Sequence, residues 1–226
     1  MASFERYKVI QAIRQSGFLP VFSHPDIAIC THVLDCCYKG GLRLFEFTNR
    51  GDFAHEIYAE LHKYVQRKYP DMIMGAGTII DSQAAVLFMQ MGANFIVSPL
   101  LDENSARICN RRKVLWIPGC GSVTEISKAE ELGADIIKIF PGASVGGPGF
   151  VKAIKGPLPW SSLMPTSGVD PSEESIKVWF ESGIVAAGLG SQLFTKELIS
   201  LENQSELISK IKQVSDWVAR YKKSRV

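Results

Sequence analysis

Short apolar runs and longer amphipathic segments alternate about eight times along this chain, and nothing else in the sequence restricts the fold as much. The apolar runs cover residues 18–23, 43–49, 71–78, 95–99, 114–119, 136–141, 162–169 and 184–190. Most end in Gly, Pro, Ser or Thr, as strands feeding tight loops do. Helical patterns fill the intervals. Residues 25–39 follow Ser23, and 52–69 open with Asp52, an acidic residue able to cap a first turn. Residues 81–91 stop at Gly92 and 122–132 at Gly133, while Ser122 and Glu125 have the spacing of a capping box. Such alternation predicts an α/β chain with a parallel sheet and helices outside it. Eight units close into a (β/α)8 TIM barrel, and 226 residues suit a compact one. The segment 3–16 adds an N-terminal helix placed to cover the barrel's bottom, and 201–221 supplies the last helix. An open doubly wound sheet alternates in the same way, so periodicity alone leaves both open. No linker, fixed-period repeat or low-complexity tract interrupts residues 1–226, which predicts a single domain.

Composition removes several classes of function. A net charge of +2 suggests neither a nucleic-acid nor a membrane-surface partner. Arg220, Lys222, Lys223 and Arg225 are basic, but at helical spacing they predict a solvated helix end. No apolar run is long enough to span a bilayer. The first six residues lack the basic-then-apolar pattern of a signal peptide. Five cysteines, odd in number and unevenly spaced, do not form a disulfide framework, and no metal-ligand spacing is present. A reducing cytoplasm is the expected compartment, and no metal or dissociable cofactor is expected.

Two constellations carry chemistry. Lys138 interrupts the apolar run Ile136-Ile137-Lys138-Ile139-Phe140 and shares a strand face with Ile136 and Phe140. Burying an unpaired ammonium is costly and lowers its pKa. Such a lysine either snorkels to a carboxylate at the barrel mouth or stays partly neutral, ready to attack a carbonyl. Glu46, Thr48 and Arg50 alternate with Phe45 and Phe47, so acid, hydroxyl and guanidinium line one inward face. A carboxylate near a lysine can shuttle protons, and a guanidinium at a strand end can grip a substrate carboxylate. The bland alternative is a Glu46–Lys138 ion pair that only fills the interior. Small-residue loops follow: 74–78, 165–169 after the seventh run, and 187–191 after the eighth. The last two sit where barrels of this kind bind phosphate. His24 precedes Pro25, where a turn role competes with a place at the site's edge; His32, His55 and His62 lie in helical segments. Trp116, Trp160, Trp179 and Trp217 fit core or interface positions.

Taken together, the stretches GLRLFEFTNR, MGAGTI, FIVSP, WIPGCGSVTE, IIKIFPG, MPTSGV and GLGSQLF resemble the 2-keto-3-deoxy-6-phosphogluconate and 4-hydroxy-2-oxoglutarate aldolases. They occur in family order from Gly41 to Phe194. The resemblance implies a homotrimeric (β/α)8 barrel that cleaves these keto acids to pyruvate and an aldehyde by a metal-free, class I mechanism. It puts Lys138 at the Schiff-base position and Glu46 at the general acid/base position. Arg50 and Thr78 match the residues that hold the pyruvate carboxylate, Thr48 and Pro99 line the same pocket, and Phe140 lies against the imine. Thr166, Ser167, Gly168, Gly190 and Ser191 fall on the phosphate loops. Three positions depart from the family: Ser167 and Leu189 stand where glycine is usual in those loops, and Leu100 where glycine often follows Ser-Pro. These bear on the far end of the substrate and leave the lysine chemistry intact. Outside this chemistry, a phosphate-binding isomerase or epimerase could use Glu46 as base with Lys138 acting only electrostatically, and a non-catalytic barrel could merely bind a ligand.

Overall fold

The computed structural model describes residues 2–223, so Arg225 of the basic C-terminal run lies outside the described residues. The strands are β1 (Phe18–Phe22), β2 (Leu44–Thr48), β3 (Ile73–Gly77), β4 (Phe95–Val97), β5 (Leu115–Ile117), β6 (Gly119–Cys120), β7 (Ile137–Ile139), β8 (Leu163–Pro165) and β9 (Ala187–Leu189). Each falls in one of the eight apolar runs or at its end. Between and around them lie α1 (Arg6–Ser16), α2 (Ile27–Lys39), α3 (Ala54–Lys68), α4 (Ser82–Gln90), α5 (Glu103–Arg112), α6 (Val123–Glu131), α7 (Gly147–Lys155), α8 (Glu173–Ser182) and α9 (Gln204–Lys223). A short 3-10 turn, Leu201–Asn203, leads into α9.

All strand pairs are parallel, in a curled sheet of order β5-β4-β3-β2-β1-β9 and a second of order β6-β7-β8. β5 and β6 belong to a single expected run, divided at Pro118, which has no N–H to give to a ladder. Its carbonyl still accepts the Lys138 N–H at 2.9 Å. On the other side, a parallel bridge joins Thr166, just past β8, to Gly188 of β9.

The strands are buried on both faces, which is why they read as near-continuous apolar runs. Phe45, Phe47, Met74, Ala76, Trp116, Ile137 and Ile139 pack outward in one large cluster with the helices. Leu19, Leu44, Ile73, Phe95, Leu115 and Ile136 form a second, inner cluster near the starts of their strands. Val9 and Ile13 of α1 belong to that inner cluster, so α1 covers the end where the strands begin. The opposite end, where the strands finish, is left to the loops.

Several helix ends follow the expected capping chemistry, and α3 does not. Asp26 accepts the Ala28 N–H at 2.8 Å, Asp81 that of Ala84 at 2.7 Å, and Asp102 that of Ser105 at 2.7 Å. Ser122 accepts the Glu125 N–H at 3.3 Å, while the Glu125 carboxylate turns back to the Gly121 N–H at 2.8 Å. Gly92 and Gly133 follow α4 and α6 at φ 99° and 84°, the left-handed geometry that ends a helix. Asp52 does not cap: Phe53 occupies the N-cap of α3 at φ 59° and makes no side-chain cap bond. Replacing Ser122 with alanine is expected to lower stability by about 1 kcal/mol, seen as a lower urea midpoint at unchanged m-value.

Two of the C-terminal basic residues are tied to the body. Arg220 pairs with Glu173, and Lys222 donates to the Arg14 carbonyl at 2.6 Å. The five cysteines are free and buried, and burial pushes the Cys30, Cys109 and Cys120 thiols up to about 12. They pack as small hydrophobes. Trp116 and Trp179 are buried, whereas Trp160 is exposed and bonds Glu130 at 3.2 Å. No helix among the described residues is long and apolar enough to cross a membrane.

Candidate active site

Strand alternation places the two central groups. On β2, Phe45 and Phe47 point to the helices, so Glu46 and Thr48 point inward. On β7, Ile137 and Ile139 take the outward face and Lys138 the inward one. Both groups are deeply buried, Glu46 at 1% and Lys138 at 5% exposure. Glu46 stands opposite Val21 of β1 and Gly75 of β3, and Lys138 opposite Gly119 of β6 and Met164 of β8.

The glycines make room for this pair. A Cβ on Gly77 would lie 1.9 Å from Glu46 Oε1, so the carboxylate occupies the space that any other residue would fill. A Cβ on Gly119 would lie 2.3 Å from the Pro99 carbonyl, which explains why the loop after β4 can press against β6. The GAGT and PGCG stretches are thus steric requirements of the interior.

Burial dominates the electrostatics. It raises the Glu46 carboxyl pKa, against the pull of the Lys138 and Arg50 charges. It also lowers the Lys138 pKa; the Glu46 charge opposes this, and the Arg50 charge adds to it. Both shifts favour the neutral forms, which suits a nucleophilic amine and a proton carrier. Neither Glu46 oxygen has a hydrogen-bond partner, so the side chain is no half of a hydrogen-bonded ion pair filling the interior. Lys138 Nζ sits 4.7 Å from the centroid of the Phe140 ring. A buried carboxylate with two unmet acceptors is costly unless something else meets them.

Above this pair opens a cavity of about 580 Å³ at the loop end of the strands. Of the residues expected in the site, Thr48, Arg50, Phe140, Thr166, Ser167, Gly168, Gly190 and Ser191 line it. Glu46 and Lys138 lie two residues before Thr48 and Phe140 on the same inward faces, deeper in the interior and not themselves on the cavity wall. Thr78 and Pro99 are not on its wall. Thr78, at φ 57°, instead accepts a hydrogen bond from Arg50 Nε at 3.3 Å and so orients the guanidinium. Pro99 backs the floor through its contact with Gly119.

Residues not singled out from the sequence also line the cavity, among them Ser23, Gln192, Phe22 and Phe194. Ser23 receives a 2.7 Å bond from the Thr48 hydroxyl. A signal for it existed: Ser23 follows Leu19 and Val21 at period two, on the inward face of β1. Of the departures from the family, Leu189 is fully buried in the outer cluster, where it cannot obstruct the cavity. Its neighbours Gly188 and Gly190 face inward. Ser167 is different: exposed, on the cavity wall and at φ 73°, a conformation that glycine would adopt without strain. Its carbonyl accepts the Ala143 N–H at 3.2 Å, and Gly168 packs so close to Ala143 that a Cβ there would clash at 2.3 Å. The loop is thereby clamped from below.

Comparison with known proteins is consistent with this geometry. The model of the KDPG and KHG aldolases, a family named for 2-keto-3-deoxy-6-phosphogluconate and 2-keto-4-hydroxyglutarate, matches residues 9–211. The chain is 28% identical to the 2-dehydro-3-deoxy-phosphogluconate aldolase of Haemophilus influenzae, across 95% of this chain and 98% of that protein. It is 32% identical to the corresponding aldolase of Pseudomonas aeruginosa, across 69% of each. Among solved structures, the KDPG aldolase of Legionella pneumophila, with pyruvate captured at low pH as a covalent carbinolamine, superposes at a TM-score of 0.81. That likeness covers 90% of this chain and 96% of that one at 25% identity. With the family's match spanning nearly the whole chain, this protein belongs to the KDPG and KHG aldolases.

Proposed function

We propose that Lys138 forms the Schiff base of a class I aldolase acting on 2-keto-3-deoxy-6-phosphogluconate, and on 4-hydroxy-2-oxoglutarate as a second substrate. The observation that carries this reading is the buried Glu46 carboxylate, unpartnered on both oxygens and within the field of the buried Lys138, beneath the cavity that Thr48 and Phe140 line. Neutral Lys138 adds through Nζ to the C2 carbonyl, and the carbinolamine takes the proton of the Glu46 acid and loses water, leaving a protonated imine and the Glu46 carboxylate. Glu46, directly or through a water, takes the proton of the C4 hydroxyl. The C3–C4 electron pair then moves toward the imine, so the aldehyde departs and an enamine remains. Glu46 returns its proton to C3, and water hydrolyses the protonated imine, freeing pyruvate and the neutral amine and handing the released proton back to Glu46. Arg50, held by Thr78, grips the C1 carboxylate and fixes C2 over Lys138. Phe140 walls the imine, and Thr48 with Pro99 shapes the floor. The other product is glyceraldehyde 3-phosphate or glyoxylate. The phosphate lies against the loops of Thr166, Ser167 and Gly168 and of Gly190 and Ser191, where backbone amides can meet it.

The framework for this chemistry is a closed (β/α)8 barrel. Chain continuity from β5 through Pro118 to β6 joins the two sheets on one side, and the Thr166–Gly188 bridge joins them on the other. Residues 1–226 make one domain with α1 as its bottom plug. A homotrimer in the cytoplasm is the assembly the family resemblance implies, and the buried, free thiols suit a reducing compartment.

Borohydride reduction in the presence of pyruvate, followed by peptide mapping, tests the central step. The expected result is a stable adduct on the peptide carrying Lys138. An adduct on another lysine, or none, would overturn the assignment. Failure to trap pyruvate would favour the isomerase or epimerase reading, in which Glu46 acts as base alone.

A further inference from the structure

Among the described residues that line the cavity, Arg50 and His24 are the only ionisable side chains. Arg50 is at the carboxylate end, bonded to Thr78. His24 is on the other side. It follows β1, which pairs with β9 through Phe18–Ala187, Leu19–Gly188 and Pro20–Leu189. Continued by one residue, that register brings Val21 beside Gly190, where a Cβ would lie 3.3 Å from the Val21 carbonyl. His24 therefore stands at the mouth next to the loop of Gly190, Ser191 and Gln192. Phe22, edge-on to Phe194 at 5.3 Å, stacks loosely with His24 at 6.5 Å and ties β1 to that loop.

The ring's orientation is set locally. His24 Nδ1 accepts the Asp26 N–H at 3.0 Å, so Nδ1 presents its lone pair to the backbone and the ring proton sits on Nε2. Asp26 is itself anchored, its side chain capping α2 through the Ala28 N–H. The His24 carbonyl accepts from Cys30 Sγ at 3.2 Å. A turn role and a site role are therefore compatible: one nitrogen makes the turn, and the other is left as a donor on a half-buried ring in the cavity wall.

We propose that His24 is a specificity-determining residue, its Nε2–H donating to the phosphate oxygens at the far end of the substrate. This rests on the aldolase reading above and adds to it the residue that distinguishes a phosphorylated tail from a bare hydroxyl. Ser167, Ser191 and Gln192 present neutral donors to the same end, and His24 adds an N–H whose direction the turn fixes. A donor held in place by the turn loses little entropy on binding, which favours selectivity over flexible surface charge.

The test separates the two jobs of the ring. His24→Asn keeps a side-chain acceptor for the Asp26 N–H and so preserves the turn, but it lacks the reach of Nε2. The probes are 2-keto-3-deoxy-6-phosphogluconate and its dephosphorylated form, assayed by initial rates of pyruvate release. His24→Asn is expected to raise KM for the phosphorylated acid about tenfold, with KM for the dephosphorylated acid changed by less than about twofold. His24→Gln, which restores a longer donor, should recover part of the loss. Equal effects on both substrates, or none on either, would overturn the role of His24. Pyruvate trapping by borohydride is run on the unmodified protein in parallel. Failure there would overturn the aldolase reading itself and the His24 proposal with it, whereas trapping without a phosphate-dependent effect of His24→Asn would overturn only the latter.

Discussion

Replacing Lys138 with methionine is expected to lower kcat for aldol cleavage on the order of 10⁴-fold or more and to abolish borohydride trapping of pyruvate. Methionine keeps the length and apolar stem of the side chain but has no nucleophile. The same change is expected to leave thermal stability at neutral pH at or above that of the unmodified protein. Burial lowers the Lys138 pKa below its ordinary 10.5, so the folded state disfavours the ammonium relative to the unfolded chain. Between the folded and unfolded pKa values the unfolded lysine binds more protons, and stability rises with pH through that window. Below the window the penalty is fully present. Lys138→Met removes both the penalty and this slope. Glu46 then loses the lysine charge that lowers its pKa and is more readily held as the neutral acid. Activity and melting temperature, measured on the same preparation against pH, check both halves. A marked fall in melting temperature would mean that the lysine charge supports the fold, as in a structural ion pair.

Glu46→Gln is expected to reduce kcat by about 100- to 10,000-fold while pyruvate trapping at Lys138 persists at a slower rate. The amide matches the carboxylate in size but cannot accept and return a proton. Because imine formation needs the neutral lysine while C3–C4 cleavage needs a base for the C4 hydroxyl, the variant separates capture from cleavage. Single-turnover kinetics on the phosphorylated acid reads the cleavage step. A kcat within a few-fold of the parent would remove Glu46 from the mechanism. Gly77→Ala reaches the same group by another route. Its new Cβ would lie 1.9 Å from Glu46 Oε1, so the carboxylate must move or the strand must shift. Lost cleavage with a retained circular dichroism spectrum would indicate displacement of Glu46, and lost secondary structure would mean that β3 cannot accommodate the change.

Much of this molecule was legible in advance because strand geometry is local. A period of two forces Glu46 and Thr48 to one face of β2 and Phe45 and Phe47 to the other, whatever the rest of the chain does. The same rule makes Lys138 conspicuous between Ile137 and Ile139. Apolar runs bounded by small residues marked the strands, since a sheet buried on both faces leaves little for polar side chains to do. The glycine ends of α4 and α6 were equally visible, because a left-handed φ is a property of one residue.

What the chain alone left open depended on partners distant in sequence. Asp52 has the chemistry of a cap, yet the entry into α3 puts Phe53 there, a choice made by the path of the loop. Leu189 counted among the departures that bear on the substrate's far end, and its burial among the outer core residues places it away from the cavity. Thr78 matched a substrate-binding position, but it lies behind Arg50 and off the wall. Ser23, His24 and Gln192 became cavity residues only when β1 and β9 came together, with some 170 residues of chain between Leu19 and Gly188. Sequence by itself determined the periodicities, and with them the strand faces and the two central charges. The cavity, its mouth and the identity of its rim were decided by the tertiary structure, because a concave wall is made by loops from separate strands and no local rule encodes which of them meet.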